Sequence, residues 1–318
     1  MEYTMNLHEQ TKLFNDAIQT ASRHLIIKPE FIVKDYWITY MLWNLSNYQN
    51  RDQVVFKGGT SLSKAYKLIN RFSTDVDLAV IQNPDFSGNR IKSEIRKIEK
   101  AVANGLLESH IPRLTSKGSR FRKSAYVYPV NDKYEDDNIV IIETNYFANP
   151  YPYEERGIES FIATFLRDTR NEKVIEDFNL QPFTINVLDR FQTLIEKLVS
   201  LIRFSFQQNS LEGVRSKIRH FYDLYYLMQT KEGEEFIASV DFRERFKKLL
   251  LHDQQSFDEP KGWGKYELSE SILVSDFEIV WEKLKDDYTK ELSFFAYTAI
   301  PDEQRVAESF RRLISYIQ

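Results

Sequence analysis

"FKGGTSLSKAYKLINRFSTDVDLAV", residues 56–80, decides how this chain is read. A short apolar run ends at Gly58-Gly59. The hydroxyl residues Thr60 and Ser61 and the lysine Lys64 follow, and Asp75 and Asp77 then stand one residue apart among apolar neighbours. A glycine pair lets backbone approach a ligand closely, because no Cβ blocks the way. A helix opening directly behind it offers unpaired N–H groups and the positive end of its dipole, which suits a phosphate. By itself the pair is equally an ordinary strand-to-helix turn, since short glycine motifs match many unrelated chains. The aspartates shift the balance. Alternate residues on a strand share a face, so both carboxylates project together. Two neighbouring anions repel unless a cation lies between them. Mg²⁺ prefers such hard oxygens and leaves room for substrate phosphates. Charges that protect an exposed strand edge are the other explanation. Val76, Leu78, Val80 and Ile81 speak against it, because they give the strand a buried side.

Outward from this stretch, residues 5–22 and 29–48 carry apolar side chains at three-to-four spacing and read as helices. Residues 53–56 and 75–81 read as strands, the glycines open a helix between them, and a charged helix is expected over 88–107. "RFRKSAYVYPV" and "NIVIIETNYF" read as a hairpin around the acidic tip "NDKYEDD". From about residue 157 helices dominate, apart from a single strand at 183–188. The expectation is an α+β lobe over residues 1–180 and a mainly helical lobe over 181–318 that completes a cleft with it. Glu143 interrupts the apolar run Ile139–Ile142, where an unpaired charge is costly. It is the candidate for the third carboxylate of a two-metal phosphoryl site. A glutamate paired with Arg or Lys is the alternative.

Composition narrows the class. With 318 residues, 42% hydrophobic and 14% aromatic, the chain can bury a sizeable core. A net charge of −4 excludes a surface coated uniformly for nucleic acid. Cysteine is absent, so there is no disulfide, thiolate nucleophile or Cys-ligated zinc, and a reducing compartment fits. The five histidines are scattered without ligand spacing. The opening lacks the pattern of a secretory signal and no run suffices for a membrane span, so a cytoplasmic location without membrane contact is expected.

The order Gly-Gly-Thr-Ser, Arg71-Phe72-Ser73, then Asp75-Val76-Asp77-Leu78 resembles the DNA polymerase β-like nucleotidyltransferase superfamily. More narrowly it resembles the abortive-infection nucleotidyltransferase toxins, the AbiEii/AbiGii family. "VKDYWITYML" (33–42), "IEKLVSLIRF" (195–204) and "KIRHFYDLYYLM" (217–228) are similar to further segments of that family, so the resemblance spans roughly residues 30–230. It implies a polymerase β-like core, a small mixed sheet flanked by helices, with a helical lobe behind it. It implies Mg²⁺ held by Asp75 and Asp77, and an NTP whose phosphates lie at Gly58, Gly59, Thr60 and Ser61, with Lys64 and Ser73 close by. Lys197 matches a lysine expected at the phosphates, and Asp223 the acidic residue near it. His220 departs from the pattern, which has an acidic residue there in many members. On helical wheels alone Lys197 sits at the border of an apolar stripe, and Asp223, four residues after Arg219, reads as a surface ion pair.

The implied reaction transfers NMP from an NTP to an acceptor hydroxyl and releases pyrophosphate. The resemblance points to RNA, such as a tRNA 3′ end, as acceptor. It also implies a toxin of a toxin–antitoxin or phage-defence system with a separately encoded antitoxin. Basic stretches at 113–123 (Arg113, Lys117, Arg120, Arg122, Lys123) and 214–220 (Arg215, Lys217, Arg219, His220) either track an RNA backbone or form solvated faces. Two rivals remain open. One is a kinase using the same site, and the other a non-catalytic nucleotide- or RNA-binding protein.

Overall fold

The computed structural model describes residues 6–112, 114–130, 133–148 and 150–318. It divides the chain into two compact units, residues 1–67 with 72–188, and residues 68–71 with 189–318. The strand at 183–188 therefore stays with the first unit, and the segment carrying Arg71 joins the second.

The first unit opens with α1 (Thr11–Leu25) and α2 (Pro29–Ser46). Proline fits the first turn of α2 because its missing N–H would be unpaired there in any case. β1 (Val54–Lys57) leads directly into α3 (Gly58–Lys64), and β2 (Asp75–Val80) follows. Next come α4 (Gly88–Val102), β3 (Leu107–Ser109), β4 (Ser116–Lys117), β5 (Phe121–Val130), β6 (Lys133–Asn145) and β7 (Tyr153–Ile158). The unit closes with α5 (Phe161–Asp168), α6 (Glu172–Asp177) and β8 (Phe183–Leu188). The helix expected to reach residue 107 stops at Val102, and the chain turns into β3. The acidic tip of the β5–β6 hairpin lies in part outside the described residues.

One mixed sheet runs in the order β3-β5-β6-β2-β1-β8-β7, with β4 beside β5. β2 lies between β1, antiparallel, and β6, parallel. Val76, Leu78, Ala79 and Val80 are buried while Asp75 and Asp77 remain half-exposed, so the strand hides its apolar residues and presents its carboxylates.

A buried ion pair ties the layers of this unit together. Lys64 Nζ, at the end of α3, donates to Asp35 Oδ1 of α2 at 2.5 Å and to the Glu159 carbonyl at 3.0 Å. Asp35 Oδ2 accepts from the Phe161 amide at 2.8 Å, at the first turn of α5. Burial pushes the Asp35 carboxyl up, and Lys64 offsets only part of that.

The second unit is helical: α7 (Arg190–Ser205), α8 (Ser210–Arg215), α9 (Arg219–Met228), α10 (Lys231–Ile237), α11 (Val240–Ser256), α12 (Ile272–Ser275), α13 (Phe277–Phe295) and α14 (Glu303–Ser315). Asp189 caps α7 by accepting from the Gln192 amide at 2.9 Å. The core gathers Phe221, Phe277, Trp281 and Phe310 from α9, α13 and α14. Residues 68–71 are sewn in by backbone: the Tyr297 amide donates to the Asn70 carbonyl, and Arg71 bridges Ala296.

Candidate active site

In the first unit the site is built on β2 and the turn facing it. Asp75 and Asp77 are alternate residues and share one face. Gly58 has φ +81°, a conformation that favours glycine. A Cβ on Gly58 would fall 2.0 Å from Asp77 Oδ2. The absent side chain is thus the cradle that holds this carboxylate. Gly58→Ala is expected to strain the turn by about 1–3 kcal/mol and to drive Asp77 from its place. Transfer activity should then fall at least about a hundredfold, the scale at which misplaced groups act. Steady-state rates beside a thermal melt check this, and a variant with near-native activity would refute the cradle.

Two of the hydroxyls assigned to phosphate are spent inside the protein. Thr60 Oγ1 donates to the Asp75 carbonyl at 2.5 Å and Ser61 Oγ to the Gly58 carbonyl at 2.8 Å, and both residues are buried. The Thr60 bond ties α3 to β2, and the Ser61 bond closes the first turn of α3. The Lys64 ammonium lies in the buried pair with Asp35. Ser73 is half-buried in the segment before β2. Thr74 Oγ1 donates to Asp75 Oδ1 at 3.0 Å.

Glu143 stands opposite Asp77 in the β2–β6 register. Its carboxylate pairs with Lys123 Nζ at 2.6 Å, so the paired glutamate foreseen as the alternative is what the sheet contains, although neither side chain is fully buried. Among the described residues no group of three or more His, Asp or Glu is gathered to hold a metal ion as it stands. The donor chemistry of Asp75 and Asp77 nonetheless fits a hard divalent cation: two half-exposed carboxylates on one face, one of them seated in a glycine cradle. Lys34 of α2 was missed from the sequence. Burial depresses its ammonium and the Asp75 charge partly restores it, so this cation lies within electrostatic reach of Asp75.

In the second unit Arg71 Nε and Nη2 donate to Asp223 Oδ1 and Oδ2 at 2.7 and 2.6 Å, a bidentate fork. Lys197 Nζ lies 2.7 Å from Asp223 Oδ2. Asp223 is fully buried, and Arg71 and Lys197 nearly so. Burial alone would raise the Asp223 carboxyl, but the two cations hold it well below the usual carboxylate range. The surface pair with Arg219 is overturned, since Arg219 reaches Glu291 at 3.2 Å instead. Asp223 is closed to solvent, and its carboxylate joins Lys197 and Arg71. Burial, and then the Lys197 and Lys217 charges, press His220 far below its ordinary value and keep it neutral.

The basic stretches are largely compensated. Arg122 is buried against Glu99, Lys117 pairs with Glu108 at 2.7 Å, and Lys123 with Glu143. Arg215 pairs with Asp287 at 2.7 Å, and Lys217 lies over the Phe204 ring. Arg113 lies outside the described residues. Paired cations project less field than free ones, so these stretches carry less positive potential than their composition suggests.

The family model "Nucleotidyl transferase AbiEii toxin, Type IV TA system" matches residues 40–314. The chain belongs to the AbiEii family. It is a nucleotidyltransferase toxin of a type IV toxin–antitoxin system. The match takes in almost all of the last 90 residues, which sequence reading left unassigned, whereas Lys34 and Asp35 lie just ahead of it. No curated protein sequence matches the chain. Among solved structures it is similar to MenT4, a nucleotidyltransferase toxin from Mycobacterium tuberculosis H37Rv. The identity is 16% and the TM-score 0.40, over 95% of this chain and 99% of that one. Among the described residues, no helix is long and apolar enough to cross a membrane.

Proposed function

We propose that this AbiEii-family member moves a nucleoside monophosphate from an NTP to a hydroxyl at an RNA 3′ end, with tRNA as the leading acceptor. One observation carries the reading: Asp75 and Asp77 share a face of β2, and Gly58 gives up its side chain to seat Asp77. Asp75 and Asp77, with Glu143 as a third carboxylate, would hold Mg²⁺. When bound, that ion supplies charge stabilisation at the phosphates. The chain's own part is positioning. The α3–β2 clamp through Thr60 keeps the carboxylates in register, and Lys34 and Lys123 place positive charge beside them. In the second unit Lys197 is the candidate phosphate contact, held by Asp223. Fixed charges of this kind stabilise a transition state without reorganising. The RNA acceptor is supported by the family and not by a basic surface. A separately encoded antitoxin is the expected protein partner.

The test is a label-transfer assay with each α-³²P-labelled NTP, total bacterial RNA and Mg²⁺, beside an Asp75→Ala/Asp77→Ala control and an EDTA control. Label on RNA that both controls abolish supports the reading. Transfer of γ-label to protein without α-label on RNA refutes it in favour of a kinase.

A further inference from the structure

The third carboxylate is present, but a lysine holds it. Lys57, Asp77, Glu143 and Lys123 lie directly opposite one another across β1, β2, β6 and β5, a single row over four strands. Lys123 Nζ sits 2.6 Å from Glu143 Oε1. This pair differs in kind from the buried pairs elsewhere. The Lys123 and Glu143 side chains keep 27% and 25% exposure, against 6% and 3% for Lys64 and Asp35. A pair that water reaches is weak and exchanges readily, whereas a buried one is locked.

We propose that Lys123 is a positioning residue for the metal site: it keeps Glu143 engaged until a divalent cation binds at Asp75 and Asp77, and then releases it to that cation. The inference rests on the reading of Asp75 and Asp77 as metal ligands. It makes the lysine and the metal competitors for one carboxylate, because the ammonium that holds Glu143 Oε1 opposes both the turn of this carboxylate toward Asp77 and the arrival of a second cation. Competition of this form would favour a loaded site only at sufficient metal concentration.

The test is Mn²⁺ binding to the full chain, followed by the electron paramagnetic resonance signal of the free ion. Lys123→Gln is expected to bind about fivefold more tightly, the scale of a partly exposed ion pair. Lys123→Arg, which keeps the charge, should stay near wild type. Glu143→Gln should bind more weakly, and adding Lys123→Gln to it should restore little. Equal affinity of Lys123→Gln and wild type overturns the proposal. Weaker binding by Lys123→Gln also overturns it, since Lys123 would then support Glu143 as a ligand. A wild-type chain that binds no Mn²⁺ removes the metal reading itself, a separate outcome that takes the inference with it. A second measurement needs no variant: acetylation of Lys123 in the wild-type protein, read by peptide mass spectrometry, should rise when Mn²⁺ is added. Unchanged or reduced labelling overturns the proposal.

Discussion

Asp77→Asn is expected to lower nucleotidyl transfer about a thousandfold, roughly 4 kcal/mol of lost transition-state stabilisation, while leaving the fold intact or slightly more stable. The two halves of this expectation have one cause. Asp75 and Asp77 face the same way from a strand fixed on both sides by β1 and β6, and Glu143 stands across from Asp77. Like charges held together oppose folding, so removing one relieves repulsion. The asparagine keeps the shape that fits against Gly58. What it loses is the anionic oxygen that a hard cation requires. A stabilising or neutral change that destroys activity is the signature of a site kept against stability. Label transfer and a thermal melt on the same preparation decide the matter. If activity and melting temperature fall together, Asp77 is a structural residue and the site has been misassigned. Asp75→Asn should behave alike.

How much of this was legible beforehand depended on whether a residue's role is local. The glycine turn and the paired aspartates could be read because their meaning lies in spacing: period two on a strand, and a Cβ-free residue where the chain must turn with positive φ. Lys64 could not be placed. One turn into a helix behind a glycine loop it looks like a phosphate ligand, and only the fold brings Asp35, 29 residues away, to its ammonium. The partners of the Thr60 and Ser61 hydroxyls could not be read for the same reason, because a hydroxyl's partner is a tertiary fact. β7 went unseen because "YEERGI" has the composition of a solvated helix or loop. It is an edge strand with most side chains outside, so it lacks the alternation that marks a half-buried one. Asp223 shows the limit most sharply. Its i,i+4 spacing from Arg219 suggested a surface pair, yet Arg71, 152 residues distant, takes the carboxylate instead. The family pattern marked the position as special, but not why.

Asp223→Ala is the substitution with the largest expected cost in stability. The side chain is fully buried and joined to two cations, a fork from Arg71 and a single contact from Lys197. Removing it leaves those cations facing one another in the interior with no anion between them. Breaking a buried pair from one side costs about 3–5 kcal/mol, roughly a 10 °C loss of melting temperature for a unit of this size. An exposed pair offers the contrast: Arg311 and Glu278 meet on the surface, and Glu278→Ala is expected to change little. Acid gives the same answer by another route. The folded Asp223 carboxyl lies well below the unfolded value of about 3.9, so its contribution is complete above that value and declines as pH falls toward the folded one. Asp35 runs the other way. Its single cation does not offset burial, its carboxyl is raised, and protonation favours the folded form. Acid unfolding should therefore begin in the second unit. The stability gap between wild type and Asp223→Asn should be full down to about pH 4 and narrow progressively below it, as pH falls toward the folded value. Denaturant titrations of both proteins between about pH 1 and 7 measure that gap. A gap that stays constant across this range would mean that Asp223 is not the ionised centre of the cluster, and that the order of Lys197 and Arg71 has another source.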